Sequence, residues 1–266
     1  MCTLVILRRP RHAWPAIIAA NRDEMANRPW LPPARHWPDR ADVVAGIDQL
    51  AGGTWLGINN LGVVAGVLNR RSSLGHDPKL RSRGELVLEA LDHADATDAA
   101  AALGDLDGRS YRSFNMVVAD NRDAYWIKGL GPDSKGTVKA EPLPEGLSML
   151  TSFDRNDPAS PRMHHYLPQF EEARPPDPST GDWRDWEALL ASREFPPGSG
   201  PEEAMTIITE RGFGTLSGSL IALPAIEHPE RRPIWRFVHG RPGEGPWQDV
   251  DLRLAIDVQA GRAARR

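Results

Sequence analysis

The sequence predicts an α+β protein whose β-sheets are covered by helices. Its first third consists of short apolar runs typical of strands, the apolar residues then recur at helical spacing, and strand-like runs return before the end. The 266 residues contain no linker long enough to divide them into two folding units. We therefore predict a single domain over residues 1–266.

The apolar runs of the first third are bounded by turn-forming residues. Arg8-Arg9-Pro10 ends the first run, and Asn59-Asn60-Leu61-Gly62 separates two later runs as a hairpin loop would, because Asn and Gly tolerate positive φ. The runs are apolar on both faces, which indicates strands covered on both sides. The predicted strands are residues 3–7, 16–20, 53–58 and 63–68.

The remaining chain combines helices with further strands. Leu86, Ala90 and Leu91 fall on one helical face, and Thr97 is placed to cap a second helix that ends at Gly104. The predicted helices are residues 83–94, 97–102, 162–173, 182–192 and 202–210, and the predicted strands are 114–119, 124–128, 146–151, 219–223, 234–238 and 252–258.

Composition and charge exclude several classes of function. The net charge is −4, so the chain lacks the basic surface typical of nucleic-acid-binding proteins. No run approaches the ~20 apolar residues of a membrane-spanning helix, and we find no metal-binding motif and no motif for covalently attached haem. One cysteine and no visible signal peptide indicate a reducing compartment, which we take to be the cytoplasm.

Cys2 is the only cysteine, and it directly follows Met1. Aminopeptidases remove Met1 before a small second residue, so we expect a processed chain whose first residue carries both a thiol and a free α-amine. The α-amine has a pKa of about 8 and a free thiol one of about 8.5, so the amine can act as the base for the thiol. The alternative is that Cys2 is a small apolar residue opening a buried strand.

Asn21-Arg22-Asp23-Glu24 follows a predicted strand and places a cation beside carboxylates. Arg22 can stabilise a Cys2 thiolate by its charge or bind a substrate carboxylate. The alternative is a solvated turn with a local ion pair of little energy. Asn121-Arg122-Asp123 in a predicted hairpin turn supports that alternative, because there the same tripeptide is ordinary turn chemistry.

Three more segments supply candidate polar or aromatic groups. Asn69 ends an apolar strand with a neutral amide donor that suits an oxyanion hole, or else it begins a turn. Arg81 and Arg83 precede a helix and can meet an anionic ligand, whereas Ser82 can cap that helix. Trp55 follows two glycines, which permit close approach of a ligand or a tight bend.

Together these segments resemble the NRDE family, also called the transport-and-Golgi-organisation family. The resemblance covers the first half of the chain and weakens afterwards. It rests on Met1-Cys2, Asn21-Arg22-Asp23-Glu24, Gly52-Gly53-Thr54-Trp55, Asn69, Arg81-Ser82-Arg83-Gly84 and Phe114-Asn115. This family is in turn similar to the cysteine N-terminal-nucleophile (Ntn) hydrolases of the bile-salt hydrolase and penicillin V acylase type.

The resemblance implies a four-layer αββα sandwich in which the nucleophile heads a central strand. It implies Cys2 as the nucleophile and Asn69 as an oxyanion donor. The arginine and the acid of that group fall within residues 21–24. They correspond to Arg22 with Asp23 by residue type, or to Asn21 with Glu24 by spacing.

Two positions in the second half depart from the pattern of that group. Ser152 stands where the group usually has Asn, although a serine can still donate one hydrogen bond. Leu216 stands where much of the family has the arginine of a Gly-Thr-Arg-Ser segment. The candidate residues are Cys2, Arg22, Asp23 and Asn69 for catalysis, Asn21, Glu24 and Ser152 for support, and Trp55, Arg81 and Arg83 for substrate binding.

Two functions from different classes are compatible with these residues. The first is hydrolysis or transfer of an acyl group at a non-peptide amide by Cys2, without a cofactor. The second is a non-catalytic binding or trafficking protein for haem or an acyl-CoA-like lipid, with Cys2 or His164 available to haem. The departures at Ser152 and Leu216 favour the second function. A scaffold without pocket chemistry is a third interpretation.

We expect the intact mass of the purified protein to lack one methionine residue, because Cys2 is small enough for aminopeptidase processing. A Cys2→Leu variant is the control, since its larger side chain blocks removal of Met1. A wild-type mass that retains Met1 would remove the free α-amine from the catalytic hypothesis.

Overall fold

A computed structural model describes residues 2–73, 75 and 77–253. All strand pairs in this part of the chain are antiparallel. The strands are β1 (Thr3–Arg8), β2 (Ala16–Met25), β3 (Trp30–Ala34), β4 (Val43–Asp48), β5 (Leu56–Asn59), β6 (Val64–Asn69), β7 (Phe114–Ala119), β8 (Ala124–Gly129), β9 (Val138–Pro142), β10 (Gly146–Leu150), β11 (Phe213–Leu223), β12 (Ile234–His239) and β13 (Gln248–Asp249). The α-helices are α1 (Gly84–Leu91), α2 (Ala96–Gly104), α3 (Pro161–Glu172) and α4 (Arg184–Ala191).

The strands form two sheets. Sheet I has the order β10-β1-β2-β11-β12-β13, so the two N-terminal strands lie at its centre between strands from the second half of the chain. Sheet II has the order β3-β4-β5-β6-β7-β8-β9, which is a meander along the sequence. The N-terminal strand β1 therefore lies inside the sheet, between the next strand along the chain, β2, and the distant strand β10.

Successive side chains of a strand point to opposite faces of its sheet, so each sheet packs against the other sheet on one face and against helices on the other. The result is four layers. In β1, Leu4 and Ile6 join an apolar cluster shared with sheet II, whereas Val5 and Leu7 join a cluster shared with α3 and α4. Sheet II does the same with α1 and α2 on its outer face. The order α1/α2, sheet II, sheet I, α3/α4 confirms the predicted four-layer αββα sandwich. It also explains why the strands are apolar on both faces.

The predicted helix over residues 202–210 is wrong. The chain makes a short 3₁₀ turn at Pro201–Glu203 and then runs extended, with the Thr206 N–H donating to the Ser192 carbonyl and the Thr215 N–H to the Ile207 carbonyl. The run Thr206-Ile207-Ile208-Thr209 consists of β-branched residues, whose restricted χ1 favours extended backbone over helix.

Three strands of sheet II were not predicted. β3 and β9 are its two edge strands; β3 contains Pro32-Pro33, and β9 is largely exposed and polar. Proline is tolerated at an edge, where an unpaired N–H is not needed, so the usual strand pattern is absent there. β4 was also missed although its first four residues are buried. The strand predicted over 252–258 falls mainly on residues outside the described part, and Leu252 and Arg253 are not in a strand.

Gly53 and Gly84 bring two distant segments into backbone contact. A Cβ added at Gly84 would lie 2.9 Å from the Thr54 nitrogen, and one added at Gly53 would lie 2.6 Å from the Gly84 carbonyl carbon. The Thr54 N–H donates to the Gly84 carbonyl at 3.2 Å. Glycine at both positions therefore allows the backbone at the start of α1 to contact the backbone of the loop before β5.

Within the described residues, no helix is long and apolar enough to cross a membrane.

We expect Gly84→Ala to lower the free energy of unfolding by ~1–3 kcal/mol, because the new methyl group meets backbone that cannot rotate away. Gly104→Ala is the matched control: its Cβ meets only the Ala140 side chain at 3.7 Å, and alanine in a helix changes stability by at most ~1 kcal/mol. Urea unfolding midpoints at unchanged m-value make the measurement. Equal midpoints for the two variants would refute the contact.

Candidate active site

The registers of sheet I place Cys2 in a row of polar residues that crosses four strands. Thr3 pairs with Asn21, so continuing the ladder by one residue brings Arg22 opposite Cys2. Leu4 pairs with Leu150, so continuing that ladder by two residues places Ser152 opposite Cys2 on the other side. Arg22 pairs with Ser217 of β11. Because neighbouring strands lie about 4.8 Å apart, we expect Ser152, Cys2, Arg22 and Ser217 to be adjacent in this order.

A small pocket lies between the two sheets at this row. Its volume is about 320 Å³ including the open mouth, but only about 20 Å³ of it is accessible to the centre of a water molecule. The pocket therefore admits little more than water in this conformation. Its lining residues are Cys2, Thr3, Leu4, Ala20, Asn21, Arg22, Ser217 and Ser219 from sheet I, and Trp55, Leu56, Val67 and Leu68 from the sheet II side.

The backbone of Asp23 holds the Cys2 thiol in place. The Asp23 N–H donates to Cys2 Sγ at 3.3 Å, and Sγ lies 3.5 Å from the Asp23 carbonyl oxygen. Burial is the main cause that raises the pKa of the thiol, and the Asp23 charge adds to it. The hydrogen bond from the Asp23 N–H and the charge of Arg22 oppose this shift. The resting side chain is thus a thiol, which needs a base before it can attack.

Arg22 is a buried cation enclosed by aromatic rings. Its side chain is 5% exposed, and its guanidinium carbon lies 4.1 Å from the ring centroid of Trp55 and 5.3 Å from that of Trp30. Burial lowers the pKa of Arg22, and the negative charges of Glu24 and Asp48 oppose the shift. The Arg22 side chain therefore extends from sheet I and contacts two tryptophans on the side of sheet II.

Residues 21–24 alternate between the two faces of β2. Arg22 faces the pocket, whereas Asn21 Nδ2 donates to the carbonyls of Leu190 and Met205 on the outer, α4 side. Asp23 points the same way as Asn21. Glu24 lies on the Arg22 face, 3.8 Å from Arg28. The structure thus separates the members of both predicted pairs, Arg22 with Asp23 and Asn21 with Glu24.

The Asp23 carboxylate enters a buried network beneath the cysteine. Thr215 Oγ1 donates to Asp23 Oδ1 at 2.6 Å, and Arg162 Nη1 lies 3.6 Å from Asp23 Oδ2. Arg162 begins the helix α3, is 1% exposed, and also donates to Thr3 Oγ1 at 2.7 Å. A second buried arginine is thus tied to β1 beside Cys2, from an element that the sequence analysis did not connect to the site.

Ser152 is held beside Cys2 by a clamp centred on Asn115. Asn115 Nδ2 donates to the carbonyls of Thr151 and Phe153 at 2.9 and 2.6 Å, so the two neighbours of Ser152 are fixed by one amide. Ser152 is 1% exposed, and its Oγ has no hydrogen-bond partner within the described residues. Its hydroxyl therefore remains able to donate, and the supporting role of Ser152 stays a prediction.

Asn69 and the predicted substrate-binding arginines lie apart from the lining of the pocket. Asn69 pairs with Phe114, which packs toward α1 and α2, so Asn69 shares the outer face of sheet II. Arg81 is exposed and paired with Glu85. Arg83 donates to Ser73, and burial, followed by the charge of Arg112, lowers the pKa of Arg83 to about 10. The roles of these residues remain predictions.

Leu216 occupies a β-bulge. The register between β2 and β11 shifts between Thr215 and Ser217, and the Leu216 carbonyl accepts from the Gly240 N–H. Leu216 therefore has no opposite residue in β2, and its side chain does not line the pocket. The hydroxyls of Ser217 and Ser219 line it instead.

The sequence analysis missed several residues around the pocket. Ser217 and Ser219 had a detectable signal, since two serines at a spacing of two in an otherwise apolar strand share one face. His239, whose ring stacks on that of Trp30 at 4.8 Å, had none, because it is distant in sequence from the other residues around the pocket. Among the described residues, no group of three or more His, Cys, Asp or Glu side chains is arranged to hold a metal ion.

Comparison with solved structures places the fold in the class of N-terminal-nucleophile hydrolases. An N-acylethanolamine-hydrolyzing acid amidase ortholog from Caenorhabditis elegans is 14% identical, with a TM-score of 0.56, over 83% of this chain and 92% of that one. A mutant of the conjugated bile acid hydrolase from Clostridium perfringens is 11% identical, with a TM-score of 0.55, over 94% of this chain and 92% of that one. At these identities the likeness concerns the fold.

The family is defined by the sequence itself. Residues 1–172 match the family model described as Transport and Golgi organisation 2, and the chain belongs to this family. The mouse Transport and Golgi organization 2 homolog is 36% identical over 129 residues, and the human homolog is 34% identical over 129 residues. Each match covers 45% of this chain and 45% of the relative, so the chain spans less than half the length of these curated relatives.

We expect alkylation of Cys2 by iodoacetamide to reach half its maximal rate at a pH above the ~8.5 of a free thiol, because burial raises the pKa of Cys2. Arg22→Gln should move this midpoint higher, since the Arg22 charge lowers the pKa. Arg109→Gln, which removes an exposed cation paired with Asp107, should not move it. Because Cys2 is the only cysteine, mass spectrometry of the intact chain reports its modification directly. A wild-type midpoint at or below that of a free thiol would contradict the burial argument.

Proposed function

We propose that this protein is an N-terminal-cysteine enzyme that hydrolyses or transfers an acyl group at a non-peptide amide. The observation that carries the proposal is the position of Cys2, which heads a central strand and lines a pocket together with a buried arginine. The Ntn-hydrolase fold supports it, because the two similar structures named above are an amidase and a conjugated bile acid hydrolase. The mechanism requires removal of Met1, so that Cys2 carries the free α-amine.

The first chemical step is acylation of Cys2. The neutral α-amine of Cys2 takes the thiol proton, Sγ attacks the carbonyl carbon of the amide, and the carbonyl oxygen becomes an oxyanion. The ammonium group then returns the proton to the leaving nitrogen, the C–N bond breaks, and a thioester remains on Cys2. An internal base is needed because the buried thiol has a raised pKa.

The second step releases the acyl group. Water, or an acceptor amine in a transferase, attacks the thioester carbonyl, and its proton passes through the α-amine to Sγ as the C–S bond breaks. Ser152, with its unpartnered hydroxyl, and Asn69 are the proposed donors to the oxyanion. Asn69 must turn toward the pocket for this role, since it lies on the outer face of sheet II. Arg22 and Asp23 order the segment that contains the nucleophile.

We place this activity in the cytoplasm, which its single cysteine supports. The proposed substrate is a small amide or a lipid-like amide, and the pocket between the sheets must widen to admit either, since it holds little more than water in this conformation.

Cys2→Ala should abolish turnover of any amide substrate, by at least about a thousandfold, because it removes the atom that forms the thioester. Cys2→Ser tests whether oxygen can replace sulfur while the α-amine is kept. The experiment screens amides with the wild-type protein, then measures kcat/KM for both variants and for Arg109→Gln as the control. Wild-type turnover that persists in Cys2→Ala, or no acyl adduct on Cys2 with any electrophilic amide or ester probe, would refute the proposal.

A second candidate is a non-catalytic binding or trafficking protein on the same fold. The raised pKa of Cys2 and the leucine at position 216 favour it, since both weaken hydrolytic chemistry. The name of the family also points to trafficking. For haem, Cys2 and His164 are the candidate ligands, but the pocket at Cys2 admits little beyond water and His164 is exposed on α3. Haem would need these residues as ligands, and they do not form a haem site in this conformation. An acyl-CoA-like lipid needs no such ligand and is the preferred ligand of this candidate, although the pocket must widen to admit it.

Titration of the protein with haem and with an acyl-CoA distinguishes the two ligands. We expect no shift of the haem Soret band on addition of the protein, and saturable binding of acyl-CoA by calorimetry if this second candidate is correct. A Soret shift lost in Cys2→Ala would instead establish haem binding through the thiol. Absence of both signals would refute the second candidate.

A further inference from the structure

We propose that the pocket recognises an anionic group, in the first place a carboxylate, close to the bond that Cys2 attacks, and that Arg22 binds it. The substrate class is therefore an amide with a carboxylate near its carbonyl group. This inference deepens the proposed function and rests on it for the reaction, but the recognition itself concerns binding and is tested without turnover.

The first argument is an unsatisfied donor. Arg22 is 5% exposed, and its Nη1 has no hydrogen-bond partner among the residues that the structure describes. A buried guanidinium N–H that has lost water without gaining an acceptor is destabilising, so such groups are nearly always paired. Arg22 is also one of the residues that line the pocket. A ligand in the pocket is thus positioned to supply the missing acceptor.

The second argument is that neighbouring carboxylates are engaged elsewhere. Asp48 Oδ2 lies 3.9 Å from Arg22 Nη2, which is too far for a hydrogen bond, and the same oxygen accepts from Arg28 Nε at 2.6 Å. Glu24, on the same face as Arg22, lies 3.8 Å from Arg28 and accepts from the Met25 N–H. The aromatic rings of Trp30 and Trp55 contact the guanidinium but accept no conventional hydrogen bond.

The Cys2 thiolate is the competing explanation for the free donor. However, burial raises the pKa of Cys2, so the resting group opposite Arg22 is a neutral thiol rather than an anion. Cross-strand neighbours have Cβ atoms about 5 Å apart, which is close enough for one small ligand to contact both side chains. A carboxylate on Arg22 would therefore lie on the same face of sheet I as Sγ and in the same pocket.

The other lining residues are chemically suited to a short ligand of this kind, although the pocket must widen to admit it. Ser217, opposite Arg22, and Ser219 supply hydroxyl donors on the same face. Leu4, Leu56 and Leu68 form an apolar wall, which suits a short hydrocarbon segment.

Two alkylating reagents of nearly equal size provide the test. Iodoacetate and iodoacetamide both form an S–C bond with the Cys2 thiolate and release iodide, but only iodoacetate carries a negative charge. Both rates depend equally on the fraction of thiolate, so their ratio cancels any change in the pKa of Cys2. We expect the ratio of iodoacetate to iodoacetamide rates to be higher in the folded wild-type chain than in the same chain unfolded in urea.

Arg22→Gln should lower this ratio about tenfold, equivalent to about 1.4 kcal/mol, because it removes the cation that binds the carboxylate. Arg22→Lys should retain part of the ratio, and the exposed control Arg109→Gln should leave it unchanged. If Arg22→Gln lowers both rates together and leaves their ratio unchanged, Arg22 acts only on the thiol and the inference is wrong.

A second measurement on the wild-type chain avoids the risk that Arg22→Gln fails to fold. Succinate should protect Cys2 from iodoacetamide in a saturable manner, whereas the neutral succinamide should not. Equal protection by both compounds, or by neither, overturns the inference. Hydrolytic activity is not needed for either measurement, so a protein that shows the selectivity and hydrolyses no amide would refute the proposed reaction while retaining this recognition.

Discussion

The hydrogen-bonded ladder between β1 and β2 decides which residues meet at Cys2. Thr3 lies opposite Asn21, and one further step brings Arg22 opposite Cys2. The side-chain period of a strand is two, so a slip of one residue would turn the side chain of Asn21 or Asp23 toward the pocket and that of Arg22 toward the helices. The same register aligns Ser217 through β11, and the adjoining ladder aligns Ser152 through β10. The chemistry of the pocket is thus a property of strand pairing more than of any single residue.

The apolar pattern was sufficient to predict the central strands and the four layers, since residues such as Leu4 and Val5 need cover on both faces of a sheet. The apolar pattern did not predict β3 and β9, the edge strands of sheet II. These strands pair on one side only and do not carry that pattern. Residues 202–210 show a different failure, because a plausible helix start at Pro201 precedes a β-branched run that pairs locally with the start of β11.

The candidate site was predictable in its members more than in its arrangement. Cys2 and Arg22 were found from the sequence, but the sequence does not say which of two adjacent side chains faces the pocket, because that depends on partner strands far along the chain. Arg162 illustrates the limit: its contact with Asp23 joins residues separated by more than half of the chain, and no local sequence pattern indicates it. The hydroxyls of Ser217 and Ser219 in β11 could have been predicted, because residues two positions apart in a strand share one face. That rule was applied only to apolar residues.

The contact of Arg22 with Trp30 and Trp55 has a consequence for how the sandwich opens. Arg22 belongs to sheet I and Trp55 lies against sheet II. The contact between these two side chains therefore helps to hold the two sheets together at the pocket. The contact is worth up to about 2 kcal/mol when water is excluded. A ligand that binds the Arg22 guanidinium and moves it must compete with the contact between Arg22 and Trp55. Arg22 therefore serves both ligand binding and the packing of the two sheets at the pocket. A substitution that increases ligand affinity is expected to weaken the packing of the sheets there, and the reverse.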